Sequence, residues 1–295
     1  MNSVPASRAS RCHGRWPIAA AVAVALLIAG IPASARAAVT LGQLPSFAPS
    51  PTCTPTPDDY LQPSVTGGNL YIARQAGTIT SWSTRSSGAG ATYVFKIFRR
   101  TTDPDVFTVV ARSSPRTLTA GINTVPVNVA VRSGDMIGLN ESGLLNSCTF
   151  PQPGDGVLTR SGNLAPGASG AFAPENDVRL NLSAILVPSN DFAIVAITRD
   201  RKQGSAKVIV NVSNPGVITL TGKGLKKRAT KNIAVARTVH FQVAAAGARK
   251  RKLAKTGKAT LTPTLTFTPT GGDPASKPFT AKLRKRRSRP SVQTP

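Results

Sequence analysis

The sequence predicts an all-β protein with two β-sandwich domains, the first jelly-roll-like and the second immunoglobulin-like, after a signal peptide. Three observations support this prediction. Short stretches rich in β-branched and aromatic residues recur along the chain, and Gly, Pro, Asn or Ser separates them. Several of these stretches alternate polar and apolar residues with period two, and no convincing amphipathic helix is present. The net charge also changes sharply near residue 188.

Residues 1–37 have the layout of a secretory signal peptide. Three arginines precede an Ala-rich apolar segment, residues 18–31, and small residues follow it. This segment is shorter than the ~20 residues that a membrane span needs. Ala33-Ser34-Ala35 and Ala35-Arg36-Ala37 both fit an A-x-A cleavage site, and we favour the second. We therefore expect a secreted, extracellular protein without a transmembrane span; a retained N-terminal anchor is the alternative.

Residues 38–59 are rich in Pro, Ser and Thr and are predicted to form an extended, loosely held leader. Removal of the signal peptide leaves two cysteines, Cys53 in this leader and Cys148 in the following domain. An even number of cysteines in an exported chain indicates one disulfide bond. The bond would fix the leader to the domain; two free buried thiols are the alternative.

Residues 60–187 are predicted to form the jelly-roll-like sandwich. Candidate strands cover residues 69–75, 77–84, 92–98, 106–112, 123–131, 135–141 and 177–187. Because one face of each sheet must be buried, we expect Ile79, Val94, Phe95 or its neighbour, and Leu182 to point inward. Trp82 is expected in the core and not on a sugar-binding surface.

The turn-rich segment 150–177 is predicted to be a long loop, which is where a sandwich binds a ligand when it binds one. Acidic residues cluster at 58–59, 103–105 and 175–177, and solvated turn residues are the default interpretation. A pair of carboxylates near the loop would be needed for a secreted hydrolase. A calcium site at Asp155 and residues 175–177 is a second alternative, although no EF-hand spacing supports it.

Charge divides the chain. Residues 38–187 contain ten Lys and Arg against nine Asp and Glu, whereas residues 188–295 contain twenty-three against three, a net charge of +20. Such a shift indicates two domains of different origin. Turn-forming residues 188–190 are the predicted linker.

Residues 191–285 are predicted to form the second sandwich, because six or seven short strands fit into about ninety-five residues. Asn214-Pro215-Gly216 is typical of a hairpin turn. Residues 248–257, "ARKRKLAKTG", could form one short helical turn that ends at Gly257.

Several motifs in this second part occur together in a known module. They are "GSAKVIVNV" (204–212), "PGVITLTGKGL" (215–225), "KLAKTGKATLT" (252–262) and "FTPTGG" (267–272), followed by a strand that ends in "LRK" (283–285). In this order they resemble a lysine-rich, immunoglobulin-like β-sandwich module of exported proteins from high-GC bacteria. The resemblance covers about a third of the chain. It implies an accessory module without catalytic residues.

Many cations of the second part lie in connections between predicted strands, and residues 286–295 form a predicted basic, disordered tail. We take as candidate polyanion-binding residues Lys226, Lys227, Arg228, Arg249, Lys250, Arg251, Lys252, Arg284, Lys285, Arg286 and Arg287. Nucleic-acid binding is not expected, because aromatic residues do not alternate with these cations and export separates the protein from DNA. Outside the cell the partners would be anionic cell-wall polymers or lipid headgroups. The alternative is that the charge only keeps the sandwich soluble and its edges unpaired.

No catalytic machinery is evident in the sequence. After signal removal the only histidine is His240, within a predicted strand, so neither a histidine-based triad nor a zinc site is expected. No P-loop motif occurs, and no cofactor or metal is expected. We therefore expect a non-catalytic protein of the cell envelope, with a carbohydrate-binding protein and a secreted hydrolase as alternatives.

Overall fold

A computed structural model describes residues 37–50, 53, 57–142 and 147–286. The signal peptide prediction therefore lies outside the described residues, apart from Ala37, and so does most of the predicted tail. The all-β, sandwich-like prediction is confirmed, because the described residues form strands and one short helix. The strands of the first sandwich are β1 (Val39–Gln43), β2 (Asp58–Ser64), β3 (Gly77–Ser86), β4 (Thr92–Arg100), β5 (Val106–Arg112), β6 (Arg116–Thr117), β7 (Gly121–Val131), β8 (Met136–Ser142), β9 (Thr149–Ser161), β10 (Ser169–Ala171), β11 (Ala173–Leu180) and β12 (Leu182–Pro188).

The elements of the second sandwich follow. They are β13 (Phe192–Asp200), β14 (Ser205–Val212), β15 (Gly216–Thr221), β16 (Ala229–Ile233), β17 (Arg237–Ala244), α1 (Gly247–Thr256), β18 (Lys258–Leu261), β19 (Thr264–Pro269), β20 (Ala275–Pro278) and β21 (Ala281–Arg284).

Two antiparallel sheets enclose the main core of the first sandwich. The smaller sheet has the order β1-β12-β3-β7, and the larger has the order β10-β5-β4-β8-β2-β9-β11 with β6 beside β4. Ile79, Phe95 and Leu182 are fully buried between the sheets, as period-two alternation predicted, whereas Val94 is buried but lies outside this core, because it alternates with Phe95. Trp82 is also fully buried and stacks on Phe95, with ring centroids 5.9 Å apart.

A second, smaller core lies on the opposite face of the larger sheet. The chain from Gly162 to Phe172 crosses this face, and the Phe172 ring meets Phe98 and Phe107 edge to face at 5.6 and 5.5 Å. The predicted loop over residues 150–177 is therefore wrong, since β9, β10 and most of β11 lie within it. Its Gly and Pro residues suggested a loop, but many of them lie within β9 itself, which pairs with β2 and β11, and the β9–β11 ladder contains a bulge at Asn176–Val178.

The leader also differs from its prediction. Residues 39–43 form β1 at the edge of the smaller sheet, and Asp58 and Asp59 begin β2 inside the larger sheet. By contrast, the predicted strand at 69–75 is irregular, with one isolated bridge from Ile72 to Met136. The Cys53–Cys148 disulfide is confirmed, with its Cα atoms 5.8 Å apart, and it fixes the segment between β1 and β2 to the domain.

Three sheets surround the core of the second sandwich. Their orders are β13-β14-β17, β16-β15-β19-β20 and β18-β21. The Asn214-Pro215-Gly216 turn does not close a hairpin, because β14 and β15 belong to different sheets. A connection between two sheets needs the same turn residues as a hairpin, so the sequence could not distinguish them.

The same turn fastens the two sandwiches together. Asn214 is fully buried; its side chain accepts a hydrogen bond from the Ala76 N–H (2.8 Å) and donates to the carbonyl oxygens of Ala76 (2.9 Å) and Ser189 (2.6 Å). The Gln75 side chain donates to the Thr270 carbonyl at 2.8 Å. Residues 188–190, predicted as a linker, are therefore held at this junction by side-chain hydrogen bonds.

Candidate polyanion-binding surface

Helix α1 presents a row of cations at one end of the second sandwich. It is ten residues long and therefore longer than the predicted single turn. As predicted, it ends at Gly257, which adopts a left-handed conformation (φ 68°) and donates its N–H to the Leu253 carbonyl. Leu253 is its one buried residue, whereas Arg249, Lys250, Arg251 and Lys252 are exposed.

Cations from four other parts of the chain meet this helix around two shallow depressions. One, of about 270 Å³, is lined by Lys226, Lys250 and Lys285 together with polar and small residues. The other, of about 280 Å³, is lined by Arg201, Lys258, Arg284, Lys285 and Arg286. Because Lys285 lines both, the depressions form one continuous surface. We call this surface, together with the exposed cations of α1, the basic cap; it consists of Arg201, Lys226, Arg249, Lys250, Arg251, Lys252, Lys258, Arg284, Lys285 and Arg286.

The sequence-predicted cations thus separate into two groups. Most of them belong to the basic cap; Lys227 and Arg228 are exposed but neither lie on α1 nor line a depression, and Arg287 lies outside the described residues. Arg201 was missed because it lies outside the longer cation runs of the sequence, in the turn after β13. The backbone N–H of Arg286 donates to the Arg201 carbonyl (2.8 Å), which brings the two cations to the same edge.

The cap cations have little negative charge near them. The three ion pairs found among the described residues all lie in the first sandwich. Asp200, beside the cap, accepts hydrogen bonds from the backbone N–H groups of Lys202 and Gln203, both at 2.9 Å. In addition, the first turn of α1 carries no acidic residue. Like charges therefore face one another on this helix, which costs roughly 0.2–0.5 kcal/mol per pair at spacings of three or four residues.

Two of the carboxylates considered for hydrolysis or calcium binding, Asp155 and Asp177, are engaged by the protein itself. Asp155 is buried; its Oδ1 accepts from the Thr66 N–H and hydroxyl (both 2.7 Å), and its Oδ2 accepts from Arg179 Nε (2.5 Å). Burial alone raises the pKa of Asp155, but the hydrogen bonds from Arg179 and Thr66 lower it below its ordinary value. Asp177 accepts from the Gly154 N–H at 2.9 Å. The Gln62 side chain also donates to Asp155 Oδ2 at 3.3 Å, so four hydrogen bonds occupy the Asp155 carboxylate and leave no lone pair for a cation or a substrate.

The prediction that Asp58 and Asp59 are solvated turn residues is wrong. Both are buried in β2, and Asp59 pairs with Lys96 inside the protein. The prediction failed because the flanking Pro- and Thr-rich sequence hides the start of the strand. His240 is exposed on β17, as expected for an ordinary strand residue.

The described tryptophan and tyrosines do not provide exposed aromatic rings on which a sugar could stack. Trp82, Tyr60, Tyr71 and Tyr93 are all buried.

The sulfur atoms of Cys53 and Cys148 lie near the Glu141 carboxylate, a grouping that could suggest a metal. Since the two sulfurs are joined in a disulfide, they do not provide thiolate ligands.

A groove of about 760 Å³ lies where the two sandwiches meet. Its walls are mainly apolar, with Leu41 and Leu186 on one side and Val235 on the other, and Arg74 contributes a charge. Val235 is 66 % exposed, which is unusual for so large an apolar side chain. No sequence pattern predicted this groove, because its lining comes from seven separate parts of the chain.

The comparisons with known proteins leave the family open. No protein-family model matches the chain, and no curated protein matches it significantly. The one helix in the described part of the chain is too short and too polar to cross a membrane.

Proposed function

We propose that this is an exported, non-catalytic protein of the cell envelope whose basic cap binds anionic polymers. The observation that carries the proposal is the meeting of ten cations from five parts of the chain on one continuous surface. Anionic cell-wall polymers are the partners that we favour, because repeated phosphate or carboxylate groups could contact both depressions at once.

Long-range attraction alone would give weak binding. Exposed charges are screened over ~8 Å at physiological ionic strength, so affinity requires several close contacts at once. The depressions around Lys285 allow such contacts, because an anion held there would face Lys226 and Lys250 on one side and Arg201 and Arg284 on the other. A bound polyanion would also relieve the repulsion between the cations of α1.

Cosedimentation with purified bacterial cell walls tests this proposal. We expect retention at low salt and release at high salt. The variant K250E/K285E should lose most of this retention, because both side chains line the same depression. The variant R116E/R132E is the matched control, since it changes the net charge equally but alters exposed arginines of the first sandwich. Equal retention of both variants, or retention indifferent to salt, would contradict the proposal. Vesicles of anionic lipid, tested in parallel, distinguish wall polymers from lipid headgroups.

The groove between the sandwiches supports a second, separate role for the first sandwich in binding a ligand or partner. Its volume lies within the ~300–1,000 Å³ of small-molecule sites, and its apolar walls favour an apolar ligand over a sugar. The carbohydrate-binding alternative has less support, since the described tryptophan and tyrosines are buried. A glycan array with the wild-type protein tests that alternative directly, and reproducible hits would restore it.

The hydrolase alternative also has less support. It requires two carboxylates that are free to act on a substrate near residues 150–177. Asp155 is engaged by Arg179 and Thr66, and Asp177 by the Gly154 N–H. Turnover of a glycoside substrate that is abolished by Glu175→Gln would overturn the non-catalytic proposal.

A further inference from the structure

We propose that Lys96 and Asp59 condense to form an intramolecular isopeptide bond, a covalent link between β4 and β2 in the first sandwich. The bond would join Lys96 Nζ to Asp59 Cγ. This inference is independent of polyanion binding by the second sandwich.

The two side chains are brought together inside the protein. Both are fully buried, and Lys96 Nζ lies 2.5 Å from Asp59 Oδ1. Their strands are not neighbours, because β8 runs between them. Gly138 of β8 is paired with Lys96 and lies on the same face, and it has no side chain to obstruct the lysine. A Cβ atom at Gly138 would lie only 2.6 Å from the Phe98 ring, so a larger residue would not fit there.

The segment from Gly162 to Phe172 covers this pair and separates it from water. Leu164 lies over it, and the nearby Phe172 packs on Phe98 and Phe107. Two opposite charges that are removed from water lose their hydration, and their mutual attraction often does not recover that free energy. Desolvation lowers the pKa of Lys96, and the hydrogen bond and charge of Asp59 oppose this effect. The other charged groups that act on Lys96 are Arg112 and Arg160, which also disfavour its protonation. Transfer of the proton within the pair would remove both buried charges and leave the neutral amine that attack on Cγ requires.

The backbone of Leu164 is placed to assist the reaction. Its N–H donates to Asp59 Oδ2 at 3.0 Å, and its carbonyl accepts from Lys96 Nζ at 2.9 Å. Negative charge would develop on Oδ2 during attack of the amine on Cγ, and a fixed N–H donor stabilises such an oxyanion. Holding the amine beside the carboxyl group also supplies proximity, worth effective molarities of about 10⁵ M or more in well-oriented pairs.

The reaction balances without any other reactant. The lone pair of the neutral Nζ attacks Cγ and forms the C–N bond. The protonated Oδ1 accepts a further proton from Nζ and leaves as water when the C–Oδ1 bond breaks. No group is oxidised or reduced. In the product, Oδ2 becomes the amide oxygen and still accepts from the Leu164 N–H, while the remaining Nζ–H still donates to the Leu164 carbonyl. Both existing hydrogen bonds would therefore be kept, with the amide in its cis form, and the two buried charges would be removed.

Peptide mapping of the full-length protein tests the proposal. After reduction and alkylation, trypsin should not cut after Lys96. The peptide spanning residues 86–99 should then be joined to the peptide that contains Asp59, with a combined mass lower by one water. Cleavage after Lys96 with both peptides at their unmodified masses would overturn the proposal, and so would a water loss confined to the Asp59 peptide.

Two variants sharpen the test. Lys96→Arg keeps the cation but cannot form this bond, so its Asp59 peptide should be free and unmodified. Asp59→Asn should react with loss of ammonia in place of water, and its linked product should have the same mass as that of the wild-type protein. The wild-type map decides the proposal even if a variant fails to fold.

Discussion

In the first sandwich three carboxylates lie inside the fold, each bonded to a lysine or arginine, whereas the second sandwich displays many exposed cations on its surface. The described part of the second sandwich has a core of aliphatic and phenylalanine side chains. The first adds a disulfide bond and the fully buried pair Lys96–Asp59. The difference indicates that charge has separate roles in the two halves. In the first sandwich, buried charged pairs fix segments of the chain to the larger sheet. In the second sandwich, the charged side chains remain available to solvent and partners.

The largest effect that tests this comparison is expected from Arg179→Met. The substitution leaves Asp155 buried without its cation, and breaking a buried pair in this way costs about 3–5 kcal/mol. Arg99→Met is the comparison variant: its partner Asp135 is also buried, but the Arg99 side chain is 39 % exposed, so water screens this pair in part and the loss should be smaller than for Arg179→Met. Urea unfolding followed by the fluorescence of Trp82, which lies in the first core, gives both values. Equal losses for the two variants would show that burial does not distinguish these pairs.

The sequence predicted the strands of the first sandwich well where polar and apolar residues alternate, as at residues 77–84 and 92–98. It could not predict the pairing of Asp59 with Lys96. These residues are separated by 37 positions, and their contact depends on a strand order in which β8 lies between β2 and β4. Most cations of the basic cap could be predicted from the sequence, but their arrangement in space could not. Loops from one end of a sandwich meet in space, and only the fold reveals that Arg201 joins Arg286 there.

The second expected effect concerns the disulfide bond, which occurs in the first sandwich alone. Replacement of Cys53 and Cys148 by serine should lower its stability by about 2–4 kcal/mol, because the bond closes a long loop in the unfolded chain. The loss should appear as a lower urea midpoint when unfolding is followed by the fluorescence of Trp82. Hydrogen exchange of the β14 and β15 amides should be unchanged, since those strands belong to the second core. Faster exchange in both sandwiches would show that they unfold together through the Asn214 junction.

The buried carboxylate Asp155 should make the stability of the first sandwich depend on pH. The pKa of Asp155 is lowered in the folded protein, so its contribution to stability is present above the unfolded value of about 3.9 and is lost as pH falls through the folded pKa. The urea midpoint reported by Trp82 should therefore fall as the solution is acidified below about pH 4. In Asp155→Asn the midpoint should depend less steeply on pH over the same range. An unchanged slope would mean that other carboxylates dominate acid unfolding.

The smallest effect is expected at the basic cap and has the opposite sign. Arg249 lies in the first turn of α1, where the partial positive charge of the helix N-terminus disfavours a cation. Arg249→Glu should therefore stabilise this region by about 0.3–1 kcal/mol, and Arg249→Gln should do so by less. Hydrogen exchange of the α1 amides measures the change, and cell-wall cosedimentation of the same variants measures retention. A variant that is more stable but retained less would indicate that the cations are kept for binding at a cost to the helix. Destabilisation by Arg249→Glu would instead mean that the arginine supports the fold, and the contrast between the two sandwiches would no longer hold at this position.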